Sequence, residues 1–236
     1  MGCPGAALPE PRLNLKAVLF DFDGTLVDTT ELIYRSMRHA SREVLGRELP
    51  REVLMRNVGQ PLFRQMRLLD PERAAELLEV YTRHNEEIHD EAIREFPGVP
   101  GALERLRGAG YRIAVVTSKR RPTVKLALRV FPELDELVEE FVTMEDTAEH
   151  KPHPAPLLRA LELLGGIPPK EAAYVGDSPY DIAAARAAGV LGVGVSWGAF
   201  SAAELRAAGP DALFGDVGSA AEFLLGLGRG RAGESL

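Results

Sequence analysis

An apolar run, Ala17-Val18-Leu19-Phe20, stops at Asp21-Phe22-Asp23-Gly24. Four such residues make a short buried strand, and two carboxylates followed by a glycine end it. The acids therefore mark the strand's carboxyl end, where open α/β sheets bind their ligands. Two acids two residues apart reach one centre if the chain turns between them. One can attack while the other carries protons, or both can help hold a hard cation through oxygen. Gly24 admits a positive φ or a close backbone approach. An acidic turn after a strand uses the same residue types, so the reading depends on what other strand ends carry.

Strand patterns recur at 112–117, 140–143, 172–175 and 190–195, with a weaker one at 212–214. Helical patterns alternate with them at 102–109, 122–130, 154–164, 179–188 and 220–225. This alternation predicts an α/β fold with a doubly wound, mainly parallel sheet. Residues 29–95 show no strand pattern. Thr29 or Thr30 caps a helix that runs to Leu45, with Leu32, Ile33, Met37, Ala40 and Val44 at helical spacing and Gly46 as its stop. Further helices are expected over 50–57, over 62–69, and from Pro71, capped by Asp70, to Asp90. An all-helical stretch between two strands reads as an inserted helical cap domain, 29–95. The core is then 14–28 and 96–228, and Phe96-Pro97-Gly98-Val99-Pro100-Gly101 is the return hinge. The termini, 1–13 and 229–236, are expected to be flexible.

A chain of 236 residues has length for one large domain or a domain with an insert. Its net charge of −7 argues against a broad nucleic-acid footprint. The single cysteine, Cys3, allows no internal disulfide and fits a reducing, cytoplasmic setting. No apolar run approaches a membrane span, and the first eleven residues lack the pattern of a secretory signal.

Three more strand ends carry polar chemistry. Thr117-Ser118-Lys119 offers hydroxyl and backbone N–H groups to a phosphoryl oxygen, or a helix cap. In His150-Lys151-Pro152-His153-Pro154-Ala155-Pro156 the prolines limit where the Lys151 ammonium can go. A cation beside an attacking carboxylate offsets repulsion of an anionic substrate; Lys119 competes for that place, and a solvated surface lysine is the plain alternative. His150 and His153 lack a third ligand for a metal site. In Tyr174-Val175-Gly176-Asp177-Ser178-Pro179-Tyr180-Asp181, Asp177 follows a strand and Asp181 stands four residues on. Both can lean toward one ion, or Asp181 can complement the helix dipole. Gly192-Val193-Gly194 looks like a dinucleotide loop, but the third glycine, Gly198, is one residue late.

Asp21-Phe22-Asp23-Gly24-Thr25-Leu26-Val27-Asp28-Thr29 resembles the first signature of the haloacid dehalogenase-like phosphohydrolases, in the branch of the phosphoglycolate phosphatases and the bacterial pyrophosphatases close to them. Thr117, Lys151 with its following Pro-x-Pro, and Gly176-Asp177 with Asp181 are similar to that family's second, third and fourth motifs, in order, over residues 15–225. The resemblance implies a Rossmann-like core under a helical cap and a Mg²⁺ ion. The ion would be held by the Asp21 carboxylate, the Asp23 main-chain carbonyl and Asp177, with Asp181 supporting. It implies Asp21 as nucleophile, Asp23 as general acid and then base, and Thr117, Ser118 and Lys151 on the phosphoryl oxygens. The implied activity is hydrolysis of a small phosphorylated metabolite, phosphoglycolate phosphatase-like, with an inorganic pyrophosphatase of the same family as the alternative. Thr25-Leu26 resembles the hydrolases more than the sugar-phosphate mutases, and an intact Asp23 argues against a module that only binds phosphate.

The insert carries a charge asymmetry. Residues 29–69 hold eight arginines against four acids, and residues 70–95 hold three against nine. A basic first half facing the cleft would suit a second anionic group, as in phosphoglycolate or pyrophosphate. Arg35 and Arg64 are the candidate contacts, and a solvated helix surface would carry the same residues.

Overall fold

A computed structural model describes residues 14–228; the terminal stretches expected to be flexible lie outside the described residues. Strand β1 (Ala17–Phe20) is buried throughout. The chain then passes through β2 (Val27–Asp28) into four helices, α1 (Thr30–Leu45), α2 (Arg51–Met55), α3 (Leu62–Leu69) and α4 (Ala74–Ala92). It returns through β3 (Arg94–Glu95), which pairs antiparallel with β2. The remainder is α5 (Val99–Gly108), β4 (Arg112–Val116), α6 (Arg121–Val130), α7 (Pro132–Leu137), β5 (Glu140–Val142), α8 (Ala155–Leu163), β6 (Ala172–Gly176), α9 (Pro179–Ala188), β7 (Leu191–Val195), α10 (Ala202–Ala208), β8 (Ala212–Phe214) and α11 (Val217–Gly228).

Six strands form one parallel sheet in the order β5-β4-β1-β6-β7-β8. Its two faces follow from the two-residue period of a strand. Val18, Phe20, Ile113, Val115, Ala173 and Val175 pack on one side with Leu103, Leu106, Val124 and Leu224. Ala17, Leu19, Ala114, Val116, Ala172 and Tyr174 pack on the other with Leu157, Leu161, Ala184 and Ala185. A parallel sheet covered on both faces needs apolar residues at successive positions, so these strands read as runs rather than alternations. The expected α/β, doubly wound architecture is the one found. Strand order reverses beside β1, so the crevice outside the carboxyl ends of β1 and β6 is the switch point where such sheets bind ligands.

The helices between β2 and β3 bury Ile33, Met37, Ala40 and Val44 from α1 against Met66, Leu77 and Tyr81. The same cluster takes in Ile182, Phe200 and Leu205, so the insert rests on α9, α10 and the loop before α10. Several elements differ from expectation. Asp70 Oδ1 accepts the N–H groups of Glu72 and Arg73, both at 3.0 Å, and so holds a turn; α4 begins only at Ala74. The ladder β2–β3 lies at the edge of a stretch with no strand pattern, because both residues of β3 are exposed and carry no apolar signal. Helices α7 and α10 have six and seven residues, too few turns for a period. Ser201 and Glu204, which form a capping box, are the readable sign of α10.

Candidate active site

The sheet register places Phe20 beside Val175, and the Asp21 N–H donates to Val175 O at 2.8 Å. The ends of β1 and β6 thus bring Asp21 and Asp177 together. After Asp21 the chain doubles back: Phe22 O accepts from the N–H groups of Leu26 (3.0 Å) and Val27 (3.1 Å), and the Gly24 N–H donates to Val27 O (2.8 Å). Gly24 has φ +78°, and a Cβ there would collide with the Asp177 carboxylate. A Cβ at Gly198 would strike the same oxygen, Asp177 Oδ2. That oxygen accepts the Ala199 N–H at 2.7 Å. Asp177 is therefore seated between two glycines that leave no room for a side chain.

Asp181 opens α9 in a capping box with Ser178. Its Oδ2 accepts from the Ser178 N–H (3.0 Å) and the Ser178 hydroxyl (2.6 Å). Its Oδ1 accepts from Lys151 Nζ at 2.7 Å and lies 3.0 Å from the Tyr174 hydroxyl. Lys151 Nζ also reaches Asp21 Oδ1 at 2.9 Å and the Tyr174 hydroxyl at 2.9 Å, and Lys151 is 1% exposed. Between the two lysines that competed for the place beside Asp21, the geometry puts Lys151 there. Lys119 Nζ sits on Asp23 instead, at 2.8 and 3.1 Å.

Three buried carboxylates, Asp21, Asp177 and Asp181, each offer one oxygen within 4.8 Å of the others, and one ammonium pairs with the first and the last. The consequences appear in their proton affinities. Burial raises Asp21 to about 7; Lys151 pulls the other way, and Asp181 and Asp23 push further up. Burial, then Asp181 and Asp21, hold Asp177 well above the usual carboxylate range. Burial alone would depress Lys151, but Asp181 and Asp21 outweigh it and keep the ammonium above its ordinary value. An all-oxygen acid cluster with excess negative charge has the chemistry of a site for a hard cation.

Thr117, at the end of β4, accepts the Lys119 N–H on Oγ1 at 3.1 Å, which leaves its hydroxyl proton free to donate. Ser118 Oγ donates to Gly59 O of the insert at 2.8 Å. These residues line a cavity of about 100 Å³ between sheet and insert, room for several waters. The core contributes Asp21, Asp23, Thr117, Ser118, Lys119 and Arg120; the insert contributes Gln60, Gln65, Tyr81, Thr82, Asn85 and Glu86, with Val58, Gly59 and Leu62.

Arg35 and Arg64 do not line this cavity. Arg35 is exposed and pairs with Glu91 at 2.8 Å; Arg64 is exposed on α3. The basic half of the insert faces outward, with Arg38 on Glu48 (2.7 Å) and Arg51 on Glu31 (2.8 Å). The reason is the helical period, because Ile33, Met37, Ala40 and Val44 take the buried face of α1 and leave Arg35, Arg38 and Arg42 outside. His153 Nδ1 accepts the Ala155 N–H at 3.2 Å, a turn contact. Sequence reasoning missed the amides Gln60, Gln65 and Asn85, and Tyr180, whose hydroxyl meets Gln60 Nε2 at 2.6 Å. Neutral side chains carry no charge pattern that would mark a cavity wall. Tyr174 was hidden inside an apolar strand.

A switch-point cluster of buried acids around one lysine, roofed by helices, defines an α/β enzyme with a carboxylate centre. The model of the family described as haloacid dehalogenase-like hydrolase matches residues 18–195. A relative from Caldanaerobacter subterraneus is 40% identical over 205 residues, 87% of this chain and 92% of that protein. Pyrophosphatase PpaX of Bacillus cereus is 37% identical over 199 residues, 84% of this chain and 91% of its own length. Among solved structures, a predicted phosphoglycolate phosphatase from Haemophilus somnus is similar with TM-score 0.77 and 28% identity, over 89% of this chain and 98% of that one. A predicted phosphatase from Clostridium acetobutylicum gives TM-score 0.80 and 26% identity, over 90% and 99%. The chain belongs to the haloacid dehalogenase-like hydrolase family, and it is an enzyme of the phosphatase class.

Proposed function

We propose that this enzyme hydrolyses a small phosphate compound with Mg²⁺, through an aspartyl-phosphate at Asp21. The observation that carries the reading is Asp21 itself, buried at the end of β1, 2.9 Å from Lys151 and lining the cavity with Thr117. The residues that would hold the ion are Asp21 and Asp177, with the Asp23 carbonyl; both Asp181 oxygens are engaged by Lys151 and Ser178, so its part is to orient the lysine. Bound there, Mg²⁺ supplies positive charge between the acids and the phosphoryl oxygens. Asp21 attacks phosphorus, the bond to the leaving oxygen breaks, and Asp23 gives that oxygen its proton. Asp23 then takes a proton from the water that attacks the aspartyl-phosphate, and inorganic phosphate and Asp21 are released. Thr117 donates its hydroxyl to an equatorial oxygen, and Lys151 balances charge at Asp21.

Residues 29–95 act in this proposal as a cap that closes the cavity and reopens for release. The Ser118–Gly59 and Tyr180–Gln60 contacts support that part. Inorganic pyrophosphate is the first-ranked substrate, because relatives sharing over a third of their residues are named pyrophosphatases. Phosphoglycolate is the second, on the structural neighbour described by that activity. The proposed setting is cytoplasmic: the sequence has one cysteine, and no helix among the described residues is long and apolar enough to cross a membrane.

The test is phosphate release with Mg²⁺ from pyrophosphate, 2-phosphoglycolate and a panel of sugar and nucleotide monophosphates. Asp21→Asn is the control, with a loss of at least ~10³-fold in kcat expected for a missing nucleophile. Substantial turnover by that variant would overturn the assignment of Asp21.

A further inference from the structure

We infer that Lys119 selects substrates whose leaving group is itself an anion. The inference rests on the phosphohydrolase reading and concerns the half of the substrate that departs. In that reading Asp23 protonates the leaving oxygen, so the leaving group lies against Asp23. Lys119 Nζ lies 2.8 Å from one Asp23 oxygen and 3.1 Å from the other. Its side chain is only 10% exposed and it lines the cavity. An ammonium has three N–H donors, so one remains for a substrate oxygen after both Asp23 contacts are made. The backbone beneath it is pinned: the Lys119 N–H donates to Thr117 Oγ1 and Lys119 O accepts the Met144 N–H at 3.0 Å.

The insert offers an anion little on its side of the cavity. Gln65 Nε2 donates to Gln60 O at 2.7 Å, which fixes the orientation of that amide because a carbonyl only accepts. Gln65 Oε1 is then left buried without a partner. Gln60 Nε2 is taken by Tyr180, and Asn85 Nδ2 by Tyr81 at 3.2 Å. The charged group the insert adds to the cavity lining is Glu86. Apart from Lys119, the other cation in that lining is Arg120, more than half exposed and 3.5 Å from Glu145. The counter-charge for a carboxylate or a second phosphate is thus on the core side, in the loop after β4, and not on the insert's arginines. An anionic leaving group meets Lys119 where a neutral one of equal size meets only Asp23.

The experiment compares 2-phosphoglycolate with 2-hydroxyethyl phosphate, a near-isosteric ester in which a hydroxymethyl group replaces the carboxylate, and adds pyrophosphate. Both esters need the same proton from Asp23. Whatever a change at Lys119 does through Asp23 it does to both, and the ratio of their kcat/KM values isolates the leaving-group contact. The wild-type enzyme is expected to favour the anionic leaving groups about 10- to 100-fold, the worth of one charge-assisted hydrogen bond. Lys119→Met is expected to bring the ratio close to one, and Lys119→Arg to restore part of it. A ratio unchanged in Lys119→Met, or no wild-type preference, overturns the inference while leaving the phosphohydrolase reading in place. Absence of phosphate release by the wild-type enzyme from these three compounds and from the whole monophosphate panel overturns that reading, and the inference falls with it.

Discussion

The two walls of the cavity are built from different materials. The sheet side holds ions: Asp21, which lines the cavity, and Asp177, Asp181 and Lys151 behind it are all at most 3% exposed, and Lys151 ties Asp21 to Asp181. The insert side holds amides and hydroxyls with Glu86 as its charged lining residue, and most of its other charges lie on the outer surface, in pairs such as Arg35–Glu91. Buried charges are costly to desolvate and keep their places only when partners surround them. That cost is met at strand ends, where register and tight turns fix every group. A helical insert held to the core by few hydrogen bonds suits neutral groups, which lose little when the contact opens. In the proposed mechanism, chemistry then belongs to the rigid wall and closure to the other.

Breaking the first wall should do the most damage. Lys151→Met leaves Asp21 and Asp181 facing each other without their cation, a change that costs about 3–5 kcal/mol. The melting temperature should fall by roughly 6–20 °C. The matched change on the outer face of the insert, Arg35→Ala, should cost under about 1 kcal/mol, because its ion pair is solvated. Calorimetry of the two variants decides the matter, and equal losses would dissolve the contrast between the walls.

A smaller effect comes from titration. Asp21 protonates at about 7 in the folded protein, against an ordinary value of 3.8. Between those values the folded chain keeps a proton that the unfolded chain gives up, so stability of the metal-free protein falls as pH rises through that window. Asp177, raised for the same reason, acts in the same direction. Mg²⁺ competes with the protons, so its stabilisation should be larger near pH ~8 than near ~5. At a hundred times its dissociation constant a bound ion contributes about 2.7 kcal/mol, or about 5–10 °C in melting temperature. Melts with EDTA or Mg²⁺ across that range check this; a metal-free curve flat with pH would show that the acids are not strained by their burial.

A smaller effect again lies where the insert meets α9. Tyr180→Phe removes the hydroxyl that meets Gln60 and should cost about 0.5–1.5 kcal/mol. If closure rests on such contacts, KM for the preferred substrate should rise several-fold with kcat little changed. A kcat loss at constant KM would instead tie Tyr180 to the ionic wall through the helix it shares with Asp181.

The sequence was most legible where chain direction and stiffness leave few choices. Asp21, Thr117 and Asp177 each follow an apolar run, and parallel register brings such ends to one side of the sheet. Lys151 was legible through its prolines and the Pro-x-Pro that resembles the family's third motif, with Lys119 as the competitor; in the fold each reaches a different acid of the first motif, Lys151 on Asp21 and Lys119 on Asp23. Arg35 was misplaced by counting charge over a segment rather than around the helix; its angular distance from Ile33 and Met37 already points it outward. Gln65 and Asn85 gave no signal, since a buried amide and an exposed one look alike in a sequence. Asp181 carried two open readings, ion support and helix start, and its oxygens serve the helix start and the lysine together.

The two-residue ladder β2–β3 has an implication for how such enzymes diversify. Val27 stands opposite Glu95 and Asp28 opposite Arg94, so the sixty-odd residues of the insert leave and rejoin the core at neighbouring points. Directly opposed residues in an antiparallel pair are about 4.5–5.5 Å apart. The insert is therefore a cassette: another helical segment with the same closing ladder can be spliced in without shifting the register of the sheet. Such a graft inherits the greasy surfaces the insert now covers: Ile182, Phe200 and Leu205, and the core cluster that Leu32, Ile88 and Ala92 complete.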